Sequence, residues 1–363
     1  MSDDDDLTQK LTPSAKTRRR RSSTRPEPLS RRWITRLVML LVAFLITVTL
    51  GVLAWGVSEF NARGPSTEPI TVVLEKGSGV NAIARQLETS GVIRRADVFA
   101  VATRISKTAK KLKAGEFEIP AAVSARAVMH ILIRGETVVR KLTIAEGLQT
   151  AQALELIMAA EGLKGDLDTA GGFTLAEGHL LPETWHYKWG DSRREILRRM
   201  QEGHAQMLEK EWAARASGLP FRTADEALVL ASIVEKETGQ PEERAHVAGV
   251  FVNRLRLGMR LQSDPTVAYG LSPDAPLDRP LSRADLRNDH AWNTYTRKGL
   301  PPSPIALPGR ASVHAVLHPQ TTKDLYFVAD GTGGHVFART LAGHNRNVAK
   351  WRRLQRALSA GSD

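Results

Sequence analysis

The sequence has no cysteine, which excludes disulfides and cysteine metal sites and fits a bacterial envelope protein as well as a cytosolic one. Its 10 histidines are scattered, and no HExxH or comparable spacing offers a metal site. No cofactor is expected. No aromatic residue interleaves with the arginine run at 18–21 before Trp33, so that basic segment lacks the pattern of a nucleic-acid surface, and no nucleic-acid partner is expected. Charge is also missing between Leu37 and Val57, LVMLLVAFLITVTLGVLAWGV. That run is about as long as the roughly 20 apolar residues a membrane-spanning helix needs.

What is present is enough for a sizeable core: 363 residues, 42% of them hydrophobic, suit two or three units. The net charge of +12 is uneven, because Lys16–Arg36 holds nine basic residues against one acid, Glu27. Met1–Pro28 is polar and lacks apolar periodicity, as a disordered tail does. Trp33 and Trp55 flank the apolar run like interfacial aromatics, and the arginine-rich side should stay in the cytoplasm. A buried core helix or a cleaved signal peptide are the alternatives; the first is rarely apolar for so long, and the second lacks a small-residue cleavage site.

The stretch TADEALVLASIVEKETG, Thr223–Gly239, reads as a central helix. Thr223 with Glu226 three residues on is a capping-box start, and from Ala227 to Val234 only Ser232 is polar, so the helix is expected inside a core. Glu237 continues the row Leu230, Val234, which sets a carboxylate against an apolar wall and resists its ionisation, as a general acid at neutral pH requires. Glu235 and Glu237 lie about 200° apart on a helix of 3.6 residues per turn, so one cleft cannot take both. The alternative is that these glutamates make surface ion pairs where the helix emerges.

Before this helix, Ile70–Glu75 suits a strand, Lys76–Gly79 a turn, and Val80, Ile83, Ala84 and Leu87 one face of a helix ended by Gly91. Gly115–Ile119 reads as a strand, Ser124 as the cap of a helix to Arg134, and Thr137–Ile144 as another strand. Helices are expected over Thr150–Ala160 and Ser192–Ala216, with the aromatic segment EGHLLPETWHYKWG, Glu177–Gly190, read as a sugar-contacting loop between them. Beyond the centre, Glu242–Leu257 reads as a helix stopped by Gly258, LQSDPTVAYGL as a short extended piece, and the proline-rich stretch to Gly309 as a functional loop. Ser312 is expected to cap a short helix, Leu325–Ala329 and His335–Ala338 to form a hairpin, and a last helix to start near Thr340.

Four ordered blocks carry a family resemblance: ASIVEKET at Ala231–Thr238, FVNRLRLGMRLQSDPTVAYG at Phe251–Gly270, NTYTRKGLPPSPIALPG at Asn293–Gly309 and LYFVADGTGGHVFARTLAGHN at Leu325–Asn345. Together they resemble the endolytic murein transglycosylase, or YceG-like, family from about Ile70 to the C-terminus, EGHLLPETW included. The unit starting at Ile70 also resembles a LysM-like module, whose relatives bind N-acetylglucosamine-containing glycans; a plain α+β packing unit is the alternative.

The resemblance implies an inner-membrane enzyme, anchored by a single pass with its N-terminus cytoplasmic and its catalytic domain periplasmic. Such an enzyme cuts peptidoglycan glycan strands between N-acetylmuramic acid and N-acetylglucosamine and leaves 1,6-anhydro ends. One residue can serve as acid and then as base, and Glu237 matches the family's catalytic glutamate. Gln262, Asp264, Asn293, Tyr295, His335 and Asn345, with Glu183, are the candidates for holding the sugar; Glu235 would be a structural partner of Arg254 or Arg260. Partners implied are peptidoglycan strands, the inner membrane and peptidoglycan synthases (penicillin-binding proteins). The expected fold is α+β: a tail at 1–32, a transmembrane helix at 33–60, a linker at 61–69, a LysM-like and accessory region at 70–145 and a mixed helical and β catalytic domain at 146–363. A glycan-binding scaffold and a muramidase-type hydrolase remain open as alternatives.

Overall fold

The computed structural model describes residues 31–167 and 175–360. The polar tail expected over Met1–Pro28 lies outside them. Helix α1 (Arg31–Asn61) carries the apolar run and is long and apolar enough to cross a membrane. Inside it the Thr47 and Thr49 hydroxyls donate to the carbonyls of Ala43 and Leu45 at 2.9 and 2.7 Å, so these polar atoms are satisfied within the helix itself.

A second compact unit begins at Phe60. Its first strand, β1 (Ile70–Leu74), pairs antiparallel with β2 (Gly115–Ile119), Ile70 opposite Ile119 and Leu74 opposite Gly115. Helix α2 (Val80–Thr89) buries Ile83, Ala84 and Leu87, the row its spacing predicts. Helix α3 (Ala96–Ile105) is not among the elements expected from the sequence, although Ala96, Phe99, Ala100 and Thr103 form a buried row at helical spacing. Helix α4 (Ala125–Arg134) starts where the Ser124 hydroxyl accepts from Ala127 N at 3.2 Å and stops at Gly135, whose φ of 73° suits a residue without a side chain. Leu74, Leu87, Phe99, Phe117 and Leu132 close one core between these elements.

Strand β3 (Arg140–Thr143) pairs antiparallel with β4 (Thr184–Tyr187). The second strand corrects the expected sugar-contacting loop: Thr184–Tyr187 is ordered as β-structure, which suits β-branched and aromatic residues. Two of its rings are tied into the fold, Trp185 Nε1 donating to Leu181 O at 3.2 Å and the Tyr187 hydroxyl to Glu161 O at 2.9 Å, while His186 is exposed. Helix α5 (Thr150–Ala159) is held at its first residue by the half-buried Glu177 carboxylate, which accepts from Thr150 N at 3.0 Å and from the Thr150 hydroxyl at 2.8 Å. Helix α6 (Arg193–Ala213) follows.

The core of the remainder is α7 (Ala224–Glu237), wrapped by α6, α8 (Arg244–Arg256), α9 (Asp264–Leu271) and α10 (Arg310–Leu317). Leu228, Leu230, Ile233 and Val234 are fully enclosed, and burial of each such side chain contributes about 1.5–3 kcal/mol. Ser232, the one polar residue of the run, is satisfied: its hydroxyl donates to Val229 O at 2.7 Å and accepts from Ile305 N at 3.0 Å. At the start of α7 the Thr223 hydroxyl accepts from Glu226 N at 3.2 Å, while the Glu226 carboxylate reaches one residue further back than a capping box does, to Arg222 N at 2.5 Å.

Two expectations nearby are corrected. Residues Asp264–Leu271 are helical rather than extended, because Pro265 fits the first turn, where its missing N–H costs nothing. Gly309, not Ser312, is the cap of α10, and Ser312 is buried inside it. Strands β5 (Tyr326–Ala329) and β6 (His335–Ala338) form the expected hairpin, and α11 (Leu341–Ala360) ends the described chain. Among the described residues, helices around three two-stranded antiparallel sheets make the fold α+β.

Candidate active site

Helix α7 ends at Glu237, and the extended Thr238 that follows turns the chain away. The two last glutamates diverge as their spacing requires. Glu235 accepts from Gly309 N at 2.9 Å and faces Arg244 at 3.6 Å, with Glu146 on the same arginine at 3.7 Å. Its partner is thus Arg244, not Arg254 or Arg260: α8 brings its first residue, not its last turn, to this side of α7. Glu146 is held above the usual carboxylate range by burial and then by the Glu235 charge, with Glu183 adding to it.

Glu237 turns to the other side. The Ser263 hydroxyl donates to its Oε1 at 2.5 Å. Burial pushes the Glu237 carboxyl up to about 7 from an ordinary 4.5, and Asp264 pushes the same way, while the Ser263 hydrogen bond, His335 and Arg254 oppose them. A carboxyl raised that far can both give and take a proton near neutral pH.

The loop before α9 is tied down from several directions. Gln262 has a φ of 54°, an uncommon conformation for a residue with a side chain, and its N–H donates to Thr294 O at 3.2 Å. Ser263 N donates to the Thr294 hydroxyl at 3.0 Å, and the Thr266 hydroxyl donates to Ser263 O at 2.7 Å. Arg254, buried on α8, donates to Leu325 O and Leu261 O at 2.6 Å each and reaches Gln262 Oε1 at 3.5 Å. Its guanidinium lies over the Tyr326 ring at 5.1 Å. One arginine therefore joins α8, the Gln262 loop and the β5–β6 hairpin around Glu237.

Of the residues expected to hold a sugar, Gln262, Asp264, Tyr295 and His335 are brought together with Glu237. The Tyr295 hydroxyl donates to Asp264 Oδ1 at 2.5 Å, and its own proton is held more tightly than usual by burial and by that carboxylate. Asn293 has a different position. It is fully buried, its amide nitrogen donates to Leu286 O and Asn288 O at 3.2 and 2.7 Å, and its oxygen accepts from Tyr295 N at 2.8 Å and Thr296 N at 3.3 Å. With its hydrogen bonds filled inside the loop, it shapes the loop instead of meeting a ligand.

Asn345 is exposed on α11. Its neighbour His344 is the residue that approaches the site, stacked on Tyr326 with ring centroids 5.2 Å apart and lowered in proton affinity by burial and then by Arg254. Glu183 is exposed and acts on Glu146, on the Glu235 side of α7. Ser263, Arg254 and Tyr326 are the site residues that residue type alone does not reveal; the alternation of buried and exposed positions at Leu261, Gln262, Ser263 and Asp264 is the one local sign of the first. A cleft of about 510 Å³ opens beside Asp264 and Lys236 and runs past Tyr269 to Arg279, within the usual size of a small-molecule site.

The YceG-like family model matches residues 72–350. The endolytic murein transglycosylase of Bacillus subtilis (strain 168) is similar, with 29% identity over 314 residues, 79% of this chain and 86% of that protein. The endolytic murein transglycosylase of Streptococcus pneumoniae serotype 2 (strain D39) is 28% identical over 329 residues, which cover 78% of this chain and 59% of that longer protein. A crystal structure of a YceG-like protein from Listeria monocytogenes shares 30% identity over 77% of this chain and 99% of its own, with a TM-score of 0.49. The family match takes in α7 with Glu237, the Ser263–Asp264 loop and the β5–β6 hairpin, and on that extent the chain belongs to the YceG-like family.

Proposed function

We propose that this chain is a membrane-anchored endolytic murein transglycosylase. It cuts the β-1,4 bond between N-acetylmuramic acid and N-acetylglucosamine in nascent glycan strands, leaves 1,6-anhydro-N-acetylmuramic ends and so limits strand length. Two relatives bear that activity as their name. The observation that carries the chemistry is Glu237, a carboxyl pushed by burial to about 7 and gripped by Ser263.

In the first half of the reaction Glu237 gives its proton to the glycosidic oxygen and the bond from C1 to that oxygen breaks. In the second half the muramyl 6-hydroxyl attacks C1 and its proton passes to the Glu237 carboxylate. No water is consumed, and the acid is restored. Gln262, Asp264, Tyr295 and His335 surround the reacting bond in this reading. Asn293 supports them from within the loop, and Asn345 and Glu183 would meet only sugars further along the strand.

A muramidase-type hydrolase would need Asp264 to activate a water. Asp264 Oδ1 is already engaged by the Tyr295 hydroxyl at 2.5 Å, an occupied position for an atom that would have to grip a water, which favours the lyase. A glycan-binding scaffold has no use for a carboxyl held near neutrality.

Around this centre, α1 is the single-pass inner-membrane anchor, the tail before it cytoplasmic and the chain from Phe60 periplasmic. Residues 70–145 form the LysM-like accessory region that engages the strand, 146–363 form the catalytic domain, and peptidoglycan synthases work beside it. Mass spectrometry of muropeptides after incubation with the purified full chain tests the activity: anhydro ends support it, reducing ends would mean a hydrolase, and unchanged strands a scaffold. A periplasm-active reporter fused after Asp363 tests the topology.

A further inference from the structure

The cleft beside Asp264 is bounded by the last turn of α7, by α9, by the start of α5 and by the loop that follows α9. Its volume of about 510 Å³ suits a short peptide as well as a sugar ring, so the chemistry of the lining decides between them. A sugar ring stacks on flat aromatic faces. Among the described residues the lining holds one ring, Tyr269, which is 9% exposed and packs edge-on against Trp292 with centroids 5.7 Å apart, so it presents no open face. The wall is aliphatic instead, made by Pro265, Ala268, Leu277, Pro280, Leu281 and Ile305.

The polar groups on this wall are amides and one open cation. Gln149, 8% exposed, donates through Nε2 to Ser272 O at 3.1 Å, and its Oε1, near the first amides of α5, completes no hydrogen bond. A buried acceptor left in that state is costly, and a peptide N–H entering the cleft satisfies it. Gln152 beside it spends Oε1 on Gln149 N at 3.0 Å and keeps Nε2 for a carbonyl. Asp264 is engaged by the Tyr295 hydroxyl, and Arg279 is gripped by Asp285 at 2.6 and 3.1 Å. Lys236 differs: it is exposed, its Nζ meets Gly147 O at 3.1 Å, and no acid among the described residues pairs with it.

We propose that this cleft binds the peptide stem of the muramyl residue whose bond is cut, with Lys236 answering a stem carboxylate. The inference rests on the transglycosylase reading, which is what places a muramyl sugar at Glu237. The stem hangs from the lactyl group of that sugar and consists of amides, small methyl side chains and free carboxylates. Each finds its counterpart on the wall: Gln149 and Gln152 for the amides, Leu277 and Leu281 for the methyls, Lys236 for a carboxylate. Because the stem is tied to a sugar already held beside Asp264, its local concentration at the cleft is high, and weak contacts suffice to set a preference. The cleft therefore selects strands that carry stems over strands stripped of them. The competing account is a further sugar subsite.

Two substrates separate these accounts: uncrosslinked strands with their stems, and the same strands after an amidase has removed them. The full chain should form anhydro ends faster on the first at limiting concentration. Lys236→Gln should raise KM on stem-bearing strands by on the order of fivefold, the upper end for an exposed ion pair, and leave kcat and the stripped strands unchanged. Lys236→Glu should raise it further, and Lys236→Arg, which keeps the charge, should stay near wild type. Leu281→Gln, which leaves the Lys236 bond to Gly147 intact, should also weaken stem-bearing strands alone. Equal losses on both substrates would mean a sugar subsite or, with a lowered Tm, a structural lysine; no loss on either, or a wild type without preference, would mean that stems bind elsewhere. Each of these overturns the proposal. If the wild type makes no anhydro product, the proposed function fails by itself, and titrating the full chain with a soluble stem pentapeptide still decides the cleft: the labelled methyls of Leu277 and Leu281 should shift in wild type and less in Lys236→Glu, and unmoved methyls overturn the inference.

Discussion

The hydroxyl of Ser263 lies 2.5 Å from Oε1 of Glu237 and donates to it. This contact joins the end of the buried helix α7 to a loop that starts in a left-handed residue, Gln262. It stabilises the carboxylate, so it opposes the burial that would otherwise leave Glu237 locked as a neutral acid.

Ser263→Ala removes that donor. Glu237 then holds its proton more tightly, and the alkaline limb of activity, which follows loss of the Glu237 proton, moves to higher pH. At pH 6, where the acid form already dominates, activity should fall because the carboxylate left by donation is less well stabilised, by a factor on the order of 10 if the lost bond is worth about 1.5 kcal/mol. The pH dependence of anhydro-product formation checks both the direction and the size.

The same carboxyl makes stability depend on pH. A folded-state value of about 7 against an ordinary 4.5 means that the native protein binds the proton more tightly than the unfolded chain. Stability contributed by the acid form is therefore full below pH 4.5 and lost as pH rises from there through 7, a loss on the order of 3 kcal/mol. Glu237→Gln, which cannot ionise, should abolish this share of the loss. Denaturant unfolding of both proteins at pH 5 and pH 8 should show the variant the more stable at pH 8 and the two close together at pH 5.

Much of the helix that positions the site is legible in its own residues. An octet from Ala227 to Val234 with one serine can only be buried, and the row Leu230, Val234, Glu237 puts Glu237 on the far side from Glu235. What surrounds Glu237 is less legible, because it is made by distant segments. Arg254 meets Leu325 across 71 residues and Glu243 meets His335 across 92, and no local pattern marks either pairing. Asn293 looks like a sugar-binding amide until its four hydrogen bonds inside the loop are seen. Helix α9 hides in LQSDPTVAYGL, which reads as extended although the fixed φ of Pro265 suits a first helical turn.

Glu235→Gln tests the division of labour at the end of α7. Its side chain is 6% exposed, bonded to Gly309 N and set against Arg244, so the substitution weakens a buried charge pair. Stability should fall by about 1–3 kcal/mol, while anhydro-product formation per folded molecule stays within about tenfold of wild type. Unfolding midpoints and rates measured on the same preparation check both.

Leu230→Ala tests the role of α7 as the core element. Leu230 is fully enclosed, so truncation leaves a cavity and should cost about 2–5 kcal/mol, with the product still carrying anhydro ends where the protein remains folded. Denaturant midpoints at pH 6 measure the cost.

The most direct test of the account compares Glu237→Gln with Glu235→Gln in the full chain, each checked for cooperative unfolding, by the rate at which anhydro-muramyl ends form on glycan strands. Glu237→Gln keeps the shape of the acid but loses its proton, so donation and return fail together. Its rate should fall by about 10⁴-fold or more, the upper end of what an acid–base group supplies, and that of Glu235→Gln should not. Anhydro product formed at near wild-type rate by Glu237→Gln would contradict the account.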